Sequence, residues 1–167
     1  MERNPLVRRL ATISLVFIFL VILAGSVVRA TGSGMGCPDW PQCFGYTIPP
    51  TDVETLTWRT GRSFEEGQMI LLKDQFWVAT ADFTTGDAFA SENWTLFDRH
   101  DYNIFNPVHT WIEFINRLIG ALSGLPVLAL AIIGVWGVRR NIWNTILSVG
   151  VLFLLLFEAW LGKLVVD

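Results

Sequence analysis

The sequence predicts an all-α integral membrane protein: three transmembrane helices in an antiparallel bundle, with a long extracytoplasmic loop that contains short helices. Three observations predict this fold class. First, 52% of the 167 residues are hydrophobic, which is too apolar for a soluble domain of this size. Second, these residues cluster into runs long enough to cross a hydrocarbon layer about 30 Å thick. Third, arginines flank the runs, while residues 46–107 between them hold ten acidic and four basic residues.

The first apolar run, residues 10–28, contains no charge and predicts transmembrane helix 1 over 10–29, after a cytoplasmic N-terminus at 1–9. A basic start before an apolar core is also typical of a cleavable signal peptide. The run is longer than the roughly 15 residues of a signal core. In addition, Ala24-Gly25-Ser26 is followed by more apolar chain. Both features favour a retained helix.

Two further runs lie in the last third of the chain. Residues 118–138 contain no charge, and residues 142–157 contain none before Glu158 interrupts a run that continues to Val166. They predict transmembrane helix 2 over 109–138, a cytoplasmic turn at 139–141 and transmembrane helix 3 over 142–166.

The positive charges orient these helices, because Lys and Arg near helix ends stay preferentially in the cytoplasm. Five arginines flank the two predicted cytoplasmic ends, against three basic residues at the opposite ends. The five are Arg3, Arg8, Arg9, Arg139 and Arg140; the three are Arg29, Arg117 and Lys163. We therefore expect the loop at 30–108 to be extracytoplasmic.

Within that loop, residues 31–45 are rich in glycine and proline, which favour turns over helix or strand. From 64 to about 83, apolar residues recur at spacings of three and four, which predicts a short amphipathic helix lying over other helices or in the membrane interface. These apolar residues are Met69, Leu72, Phe76 and Ala79.

Cys37 and Cys43 are the only cysteines, and a loop bent by Pro38 and Pro41 separates them. A disulfide between them is geometrically reasonable in an oxidising compartment. It would be a staple that holds the loop's shape or, alternatively, a redox-active pair. The Cys-x-x-Cys spacing typical of redox pairs is absent, so the staple is the favoured interpretation.

The start of the second helix carries a stripe that is polar first and composed of small residues further on. Helical spacing places His109, Glu113, Asn116 or Arg117, Gly120 and Gly124 on it. Ionisable groups inside spanning helices usually mark functional sites. The alternative for Glu113 is an ordinary ion pair with Arg117, one turn further on. Neither histidine has a second histidine at ligand spacing, so no complete metal site is visible and His109 is only a weak candidate.

Three segments together resemble the heme A synthase family, membrane enzymes that oxidise a methyl group of heme O to the formyl group of heme A. The first reads GSVVRATGSGMGCPDWPQC from Gly25 to Cys43. The second reads EFINRLIG from Glu113 to Gly120, and the third reads GKLVV from Gly162 to Val166. All three lie at the helix ends and the loop where the family carries its motifs.

The resemblance implies eight spanning helices in two similar four-helix halves. These 167 residues resemble the amino-terminal part of the first half, so we expect a fragment, or a chain that needs a partner, and no complete oxidation by these residues alone. Besides resembling only part of the first half, the sequence departs from the family in its Glu-x-x-His pattern. Glu113 matches its glutamate, but Asn116 occupies the position of its heme-facing histidine, and asparagine is a poor iron ligand beside imidazole. His109, two turns nearer the outer surface, is an imperfect substitute.

The resemblance also implies roles and partners. Glu113 would be catalytic, as a proton acceptor or a stabiliser of developing charge; the cofactor-binding residues would be Asn116, Arg117, His109 and Gly120. The cofactor would be heme b, and heme O the substrate. Expected partners are membrane lipid, heme O synthase, and the missing carboxy-terminal half or a partner chain; no nucleic acid partner is expected. The expected location is a bacterial inner or plasma membrane.

Two other functions are compatible with parts of the sequence. A membrane thiol-disulfide oxidoreductase would use Cys37 and Cys43, but would need a second cysteine pair to pass electrons onward, and the sequence has none. A non-enzymatic assembly or scaffold subunit of an oxidase would bind no heme and would copurify with that oxidase.

Overall fold

A computed structural model of the chain describes residues 5–97, 105–137 and 142–166. Three long helices dominate it: α1 (Pro5–Thr31), α2 (Pro107–Trp136) and α3 (Ile142–Val166). All three are long and apolar enough to cross a membrane, which confirms the predicted fold class. The turn predicted at 139–141, with its two arginines, lies outside the described residues, as do Arg3 and His100.

Local signals set the helix ends. Pro5 begins α1, a position where the missing proline N–H is tolerated. After α1 ends at Thr31, Gly32 adopts the left-handed φ of 68° that favours glycine beyond a helix. Before α2, the Asn106 Oδ1 accepts hydrogen bonds from the backbone N–H groups of Val108 at 3.0 Å and His109 at 3.3 Å. Asn106 is therefore the N-cap of α2.

The chain divides into two compact units. The helical unit comprises Met1–Ala30 and Ile115–Val165, and the loop unit comprises Thr31–Phe114. In the helical unit, α2 and α3 approach closely where Thr145 Oγ1 donates to Gly134 O at 2.6 Å. A Cβ on Gly124, further back along α2, would lie 3.7 Å from Leu155, further along α3. The two helices are therefore antiparallel neighbours, as the sequence predicts.

Over its described residues, 31–97 and 105–114, the loop unit contains five short strands and three single turns of 3₁₀ helix. The strands are β1 (Ser63–Phe64), β2 (Met69–Leu72), β3 (Gln75–Ala79), β4 (Phe83–Thr84) and β5 (Trp94–Leu96). The 3₁₀ turns are Ser33–Met35, Val53–Leu56 and Ser91–Asn93. Strands β1 and β4 pair antiparallel, and β2, β3 and β5 form an antiparallel sheet in that order.

The prediction of an amphipathic helix from 64 to about 83 is wrong, because this segment forms β1 to β4. Gly67 has a φ of 87°, which a helix cannot contain. Lys73 and Asp74 have φ values of 54° and 60°, and such a pair of left-handed residues closes a two-residue hairpin between β2 and β3. The apolar spacing gave the wrong prediction because β2 and β3 are short, nearly continuous apolar runs, which fit either period.

Two apolar clusters hold the loop unit together. One joins the cysteine segment to the sheet; its buried members are Cys37, Cys43, Phe44, Leu56, Met69, Phe76 and Phe105, with Phe114 of α2 packed against them. The other is built around Phe64, Ile70, Ala79 and Trp94. The loop is thus a folded unit with its own core.

Tyr46, which is half-buried and packs against the first of these clusters, provides a test of this core. Burial raises the Tyr46 pKa, and the Arg62 guanidinium, whose Nη2 donates to the phenol oxygen at 3.2 Å, opposes the rise. We expect Arg62→Gln to raise the Tyr46 pKa further, measured by ultraviolet titration against Tyr46→Phe. The pKa of Tyr46 is higher in the folded than in the unfolded protein. The contribution of the neutral phenol to the free energy of unfolding is therefore complete below about pH 10 and is lost as pH rises through the folded pKa. A lower Tyr46 pKa in Arg62→Gln would contradict this account.

Candidate functional site

The cysteine loop, residues 36–46, is closed by a disulfide between Cys37 and Cys43. Both carboxylate oxygens of Asp39 brace it by accepting hydrogen bonds from the backbone N–H groups of Phe44 at 2.5 Å and Gly45 at 2.7 Å. Cys43 and Tyr46 exchange backbone hydrogen bonds of 3.0 and 3.1 Å. Both cysteines are 0% exposed, and thiol exchange requires access to a sulfur. The buried disulfide favours the staple over the redox pair.

The cysteine loop packs directly against the first turns of α2. At Gly36, a Cβ would lie only 2.5 Å from the carbonyl oxygen of His109 and 2.8 Å from the backbone nitrogen of Thr110. Real Cβ atoms do not approach backbone so closely, so glycine is required for this contact. The disulfide sulfur of Cys37 lies 3.7 Å from the Thr110 carbonyl oxygen.

Glu113 lies where the loop meets the helix. Its Oε2 accepts a hydrogen bond of 2.8 Å from the backbone N–H of Cys37. The residue is only 5% exposed. A buried carboxylate is costly unless it is hydrogen-bonded, and amide donors to carboxylates are among the stronger hydrogen bonds in proteins. The cysteine loop therefore fixes the position of the one acidic side chain that lies within the described part of α2.

This arrangement allows one kind of chemistry in particular. A main-chain donor, the Cys37 N–H, binds Glu113, and the aromatic rings of Phe44 and Phe105 lie in the adjoining core. A positioned carboxylate in surroundings that exclude bulk water can take up a proton from a neighbouring reacting group. Glu113 is therefore the candidate proton-transfer group of this site.

The structure places the other predicted site residues in two groups. His109 is half-buried in the first turn of α2, within the loop unit, and its carbonyl borders Gly36. Asn116, Arg117 and Gly120 belong to the helical unit, where the first two are half-buried. Asn116 Oδ1 is buried without a hydrogen-bond partner among the described residues, and a Cβ on Gly25 would lie 3.9 Å from it. A Cβ on Gly120 would meet no atom within 4 Å.

These residues do not fit a heme iron that is ligated within the helical unit. Residues 5–30 and 115–166 contain no histidine, and the position that the resemblance gives to an iron ligand is Asn116. Its orphaned amide oxygen is a weak donor to iron compared with imidazole. Among the described residues, no group of three or more His, Cys, Asp or Glu side chains could hold a metal ion.

Three further residues belong to this site without having been predicted as site residues: Gly36, Asp39 and Thr110. Thr110 lies one helical turn before Glu113, so its spacing is a usable signal. Asp39 follows a proline in a turn-rich segment, where acidic side chains often accept from nearby backbone N–H groups. The close approach at Gly36 depends on the folded loop and has no local signal.

Comparison with known proteins gives one family match and two curated relatives. Residues 8–82 match the model of a family described as cytochrome oxidase assembly protein. A heme A synthase from Shewanella oneidensis is 31% identical over 121 residues, which cover 72% of this chain and 26% of that protein. A heme A synthase from Shouchella clausii is 46% identical over 43 residues, which cover 25% of this chain and 14% of that protein.

The extent of these matches differs along the chain. The family match includes both cysteines, whereas Glu113 lies beyond residue 82. The matched part of the chain spans about a quarter of the Shewanella oneidensis relative, at 26%. No solved structure matches the chain significantly.

Proposed function

Because the chain belongs to the heme A synthase family, we propose that it serves heme A biosynthesis as the amino-terminal part of a synthase that oxidises the heme O methyl group to a formyl group. The observation that carries this proposal is the buried Glu113 carboxylate held by the Cys37 amide. Converting a methyl group into a formyl group breaks C–H bonds and adds one oxygen atom; with water as the oxygen source the balance is –CH3 + H2O → –CHO + 4 H+ + 4 e−, so the reaction releases protons as well as electrons. Glu113 is the acceptor for a proton leaving the reacting carbon.

Other residues of α2 bind and orient the substrate in this proposal. Gly120, with open space where a side chain would stand, admits the flat macrocycle. Arg117, half-buried four residues after Glu113, pairs with a heme propionate. Asn116 offers its amide as a hydrogen-bonding group, and His109 is the imidazole at the start of the helix.

Heme b, the proposed cofactor, supplies the redox chemistry when bound, while the protein supplies binding, orientation and electrostatics. The helical unit offers it no imidazole, since residues 5–30 and 115–166 contain no histidine. We therefore assign no ligand to heme b from this unit; a heme b ligated outside it would take up the electrons released from the methyl group. His109, the imidazole nearest to Glu113 in the described part of α2, stays a weak candidate for an iron ligand.

The proposed site lies on the extracytoplasmic side of a bacterial inner or plasma membrane. Two features support this location. Arginines flank the predicted cytoplasmic ends of the helices, and the Cys37–Cys43 disulfide suits an oxidising compartment. Lipid surrounds the exposed apolar helices, heme O enters from the membrane, and heme O synthase is the proposed source of that substrate.

The test is the heme content of membranes from a bacterium that makes heme O but has no other heme A synthase. Expressing the synthase that contains this chain should convert heme O to heme A, measured by extraction and chromatography of the hemes. Unchanged heme O, with the protein present in the membrane and its disulfide closed, would contradict the proposed function. Copurification with an oxidase but no heme conversion would indicate an assembly subunit instead.

A further inference from the structure

One peptide group of the cysteine loop is held at both of its ends by α2. The carbonyl oxygen of Gly36 and the N–H of Cys37 belong to the same peptide unit. Thr110 Oγ1 donates to that carbonyl at 2.9 Å, and the N–H donates to Glu113 Oε2 at 2.8 Å. Thr110 and Glu113 are three residues apart, so they lie on one face of the helix.

The geometry makes the two hydrogen bonds dependent on each other. A peptide unit is planar, and its C=O and N–H point in opposite directions, so fixing the carbonyl fixes the direction of the N–H. A donor at the carbonyl also polarises the amide and strengthens its N–H as a donor. Thr110 therefore controls both the direction and the strength of the hydrogen bond that reaches Glu113.

The surroundings leave this peptide little freedom. Thr110 is 1% exposed and Cys37 is 0% exposed, so water does not compete for either hydrogen bond. Gly36 touches the α2 backbone so closely that a Cβ would lie 2.5 Å from the His109 carbonyl oxygen. The disulfide restrains the chain on the other side of the Cys37 amide.

We propose that Thr110 is a positioning residue for Glu113, acting through the Gly36–Cys37 peptide. This inference rests on the proposed function for its catalytic consequence, but not for its structural part. Thr110 does not touch the substrate. Its hydroxyl holds the peptide so that the Cys37 N–H keeps the carboxylate in one orientation, ready to accept a proton. This role requires a hydroxyl group. Serine at position 110 should therefore perform it, whereas valine should not.

The test compares Thr110→Val with Thr110→Ser, since valine keeps the branched shape without the hydroxyl. Hydrogen exchange at the Cys37 amide, resolved by mass spectrometry of the purified protein, should be about tenfold faster in Thr110→Val, as expected when a buried hydrogen bond is lost. In membranes that hold the active synthase, kcat for heme A formation should fall about tenfold with little change in KM. Thr110→Ser should restore both measurements to within about twofold.

Two controls separate positioning from general loosening of the loop. The amides of Phe44 and Gly45, which Asp39 holds, should stay protected in Thr110→Val. Thr57→Val removes an exposed hydroxyl that donates to the Val53 carbonyl, and it should change neither measurement.

The outcomes are distinct. Faster exchange in Thr110→Val at the amides of Phe44 and Gly45 as well as at that of Cys37 would make Thr110 a general packing residue and overturn the proposal. Unchanged Cys37 exchange, or an unchanged kcat despite faster Cys37 exchange, would also overturn it. If Glu113→Gln leaves heme A formation unchanged, the catalytic role of Glu113 fails; the exchange experiment still decides whether Thr110 holds the peptide.

Discussion

Replacing Glu113 with glutamine is expected to lower the rate of heme A formation on the order of 10²-fold, the contribution typical of a general acid or base. Glutamine keeps the size of the side chain, and its amide oxygen can still accept the hydrogen bond from the Cys37 N–H, 2.8 Å from the native carboxylate. The variant should therefore retain the docked cysteine loop and lose only the proton-accepting group. The rate is measured in membranes with equal amounts of protein.

Glu158→Gln is the matched control, because Glu158 is an exposed acidic residue of α3, which like α2 is a long apolar helix with one acidic residue. It should leave heme A formation unchanged. Wild-type activity of Glu113→Gln at equal expression would reduce Glu113 to a structural residue. Equal losses in both variants would point to a general effect of removing intramembrane charge.

Gly45→Ala should have the largest effect on the stability of the loop unit. A Cβ there would lie 2.1 Å from the Gly67 carbonyl oxygen and 2.4 Å from the Gln68 Cα, and both are backbone atoms that cannot rotate away. The residue also has a φ of 74°, in the left-handed region. We expect about 1–2 kcal/mol of destabilisation from the backbone conformation and about 1–3 kcal/mol more from overpacking. Unfolding in detergent, followed by tryptophan fluorescence, measures the sum.

Gly61→Ala isolates the conformational part of this effect, so the difference between the two substitutions gives the steric part. Gly61 has nearly the same φ, 73°, but its Cβ would meet nothing within 4 Å. It should lose only the roughly 1–2 kcal/mol due to the left-handed conformation. Equal destabilisation by the two substitutions would show that a Cβ at Gly45 adds no steric cost against Gly67, and would contradict this prediction.

The membrane part of the fold could be predicted from sequence, because it depends on one strong and local property. A spanning helix needs an apolar run of sufficient length, and the runs that begin near Leu10 and Ile142 supply it directly. Helix α2 contains Pro126, which usually disrupts a helix. It continues nevertheless, as proline-containing helices in membranes often do.

The loop could not be predicted to the same degree, because its strands depend on pairing between distant residues. Phe64 pairs with Phe83, and Ala79 pairs with Trp94. A helical spacing of apolar residues was visible at Met69, whereas the left-handed turn at Lys73 and Asp74 has no glycine or asparagine to signal it.

The candidate site falls between these two cases. Glu113 was recognisable as an acid in a spanning helix, and the Cys37–Cys43 disulfide as a pairing allowed by spacing. Their contact was not predictable, since 76 residues separate the Cys37 amide from the carboxylate that accepts its hydrogen bond. Thr110 gains its proposed role only through that contact.

The hemes that copurify with the protein test the central claim most directly, namely that Glu113 acts on a heme O bound beside it. Wild-type synthase and the Glu113→Gln variant are purified from cells that make heme O, and their hemes are extracted and separated. We expect heme A with the wild type, and heme O without heme A with the variant, the disulfide being closed in both. Heme A at the wild-type ratio in Glu113→Gln would contradict it.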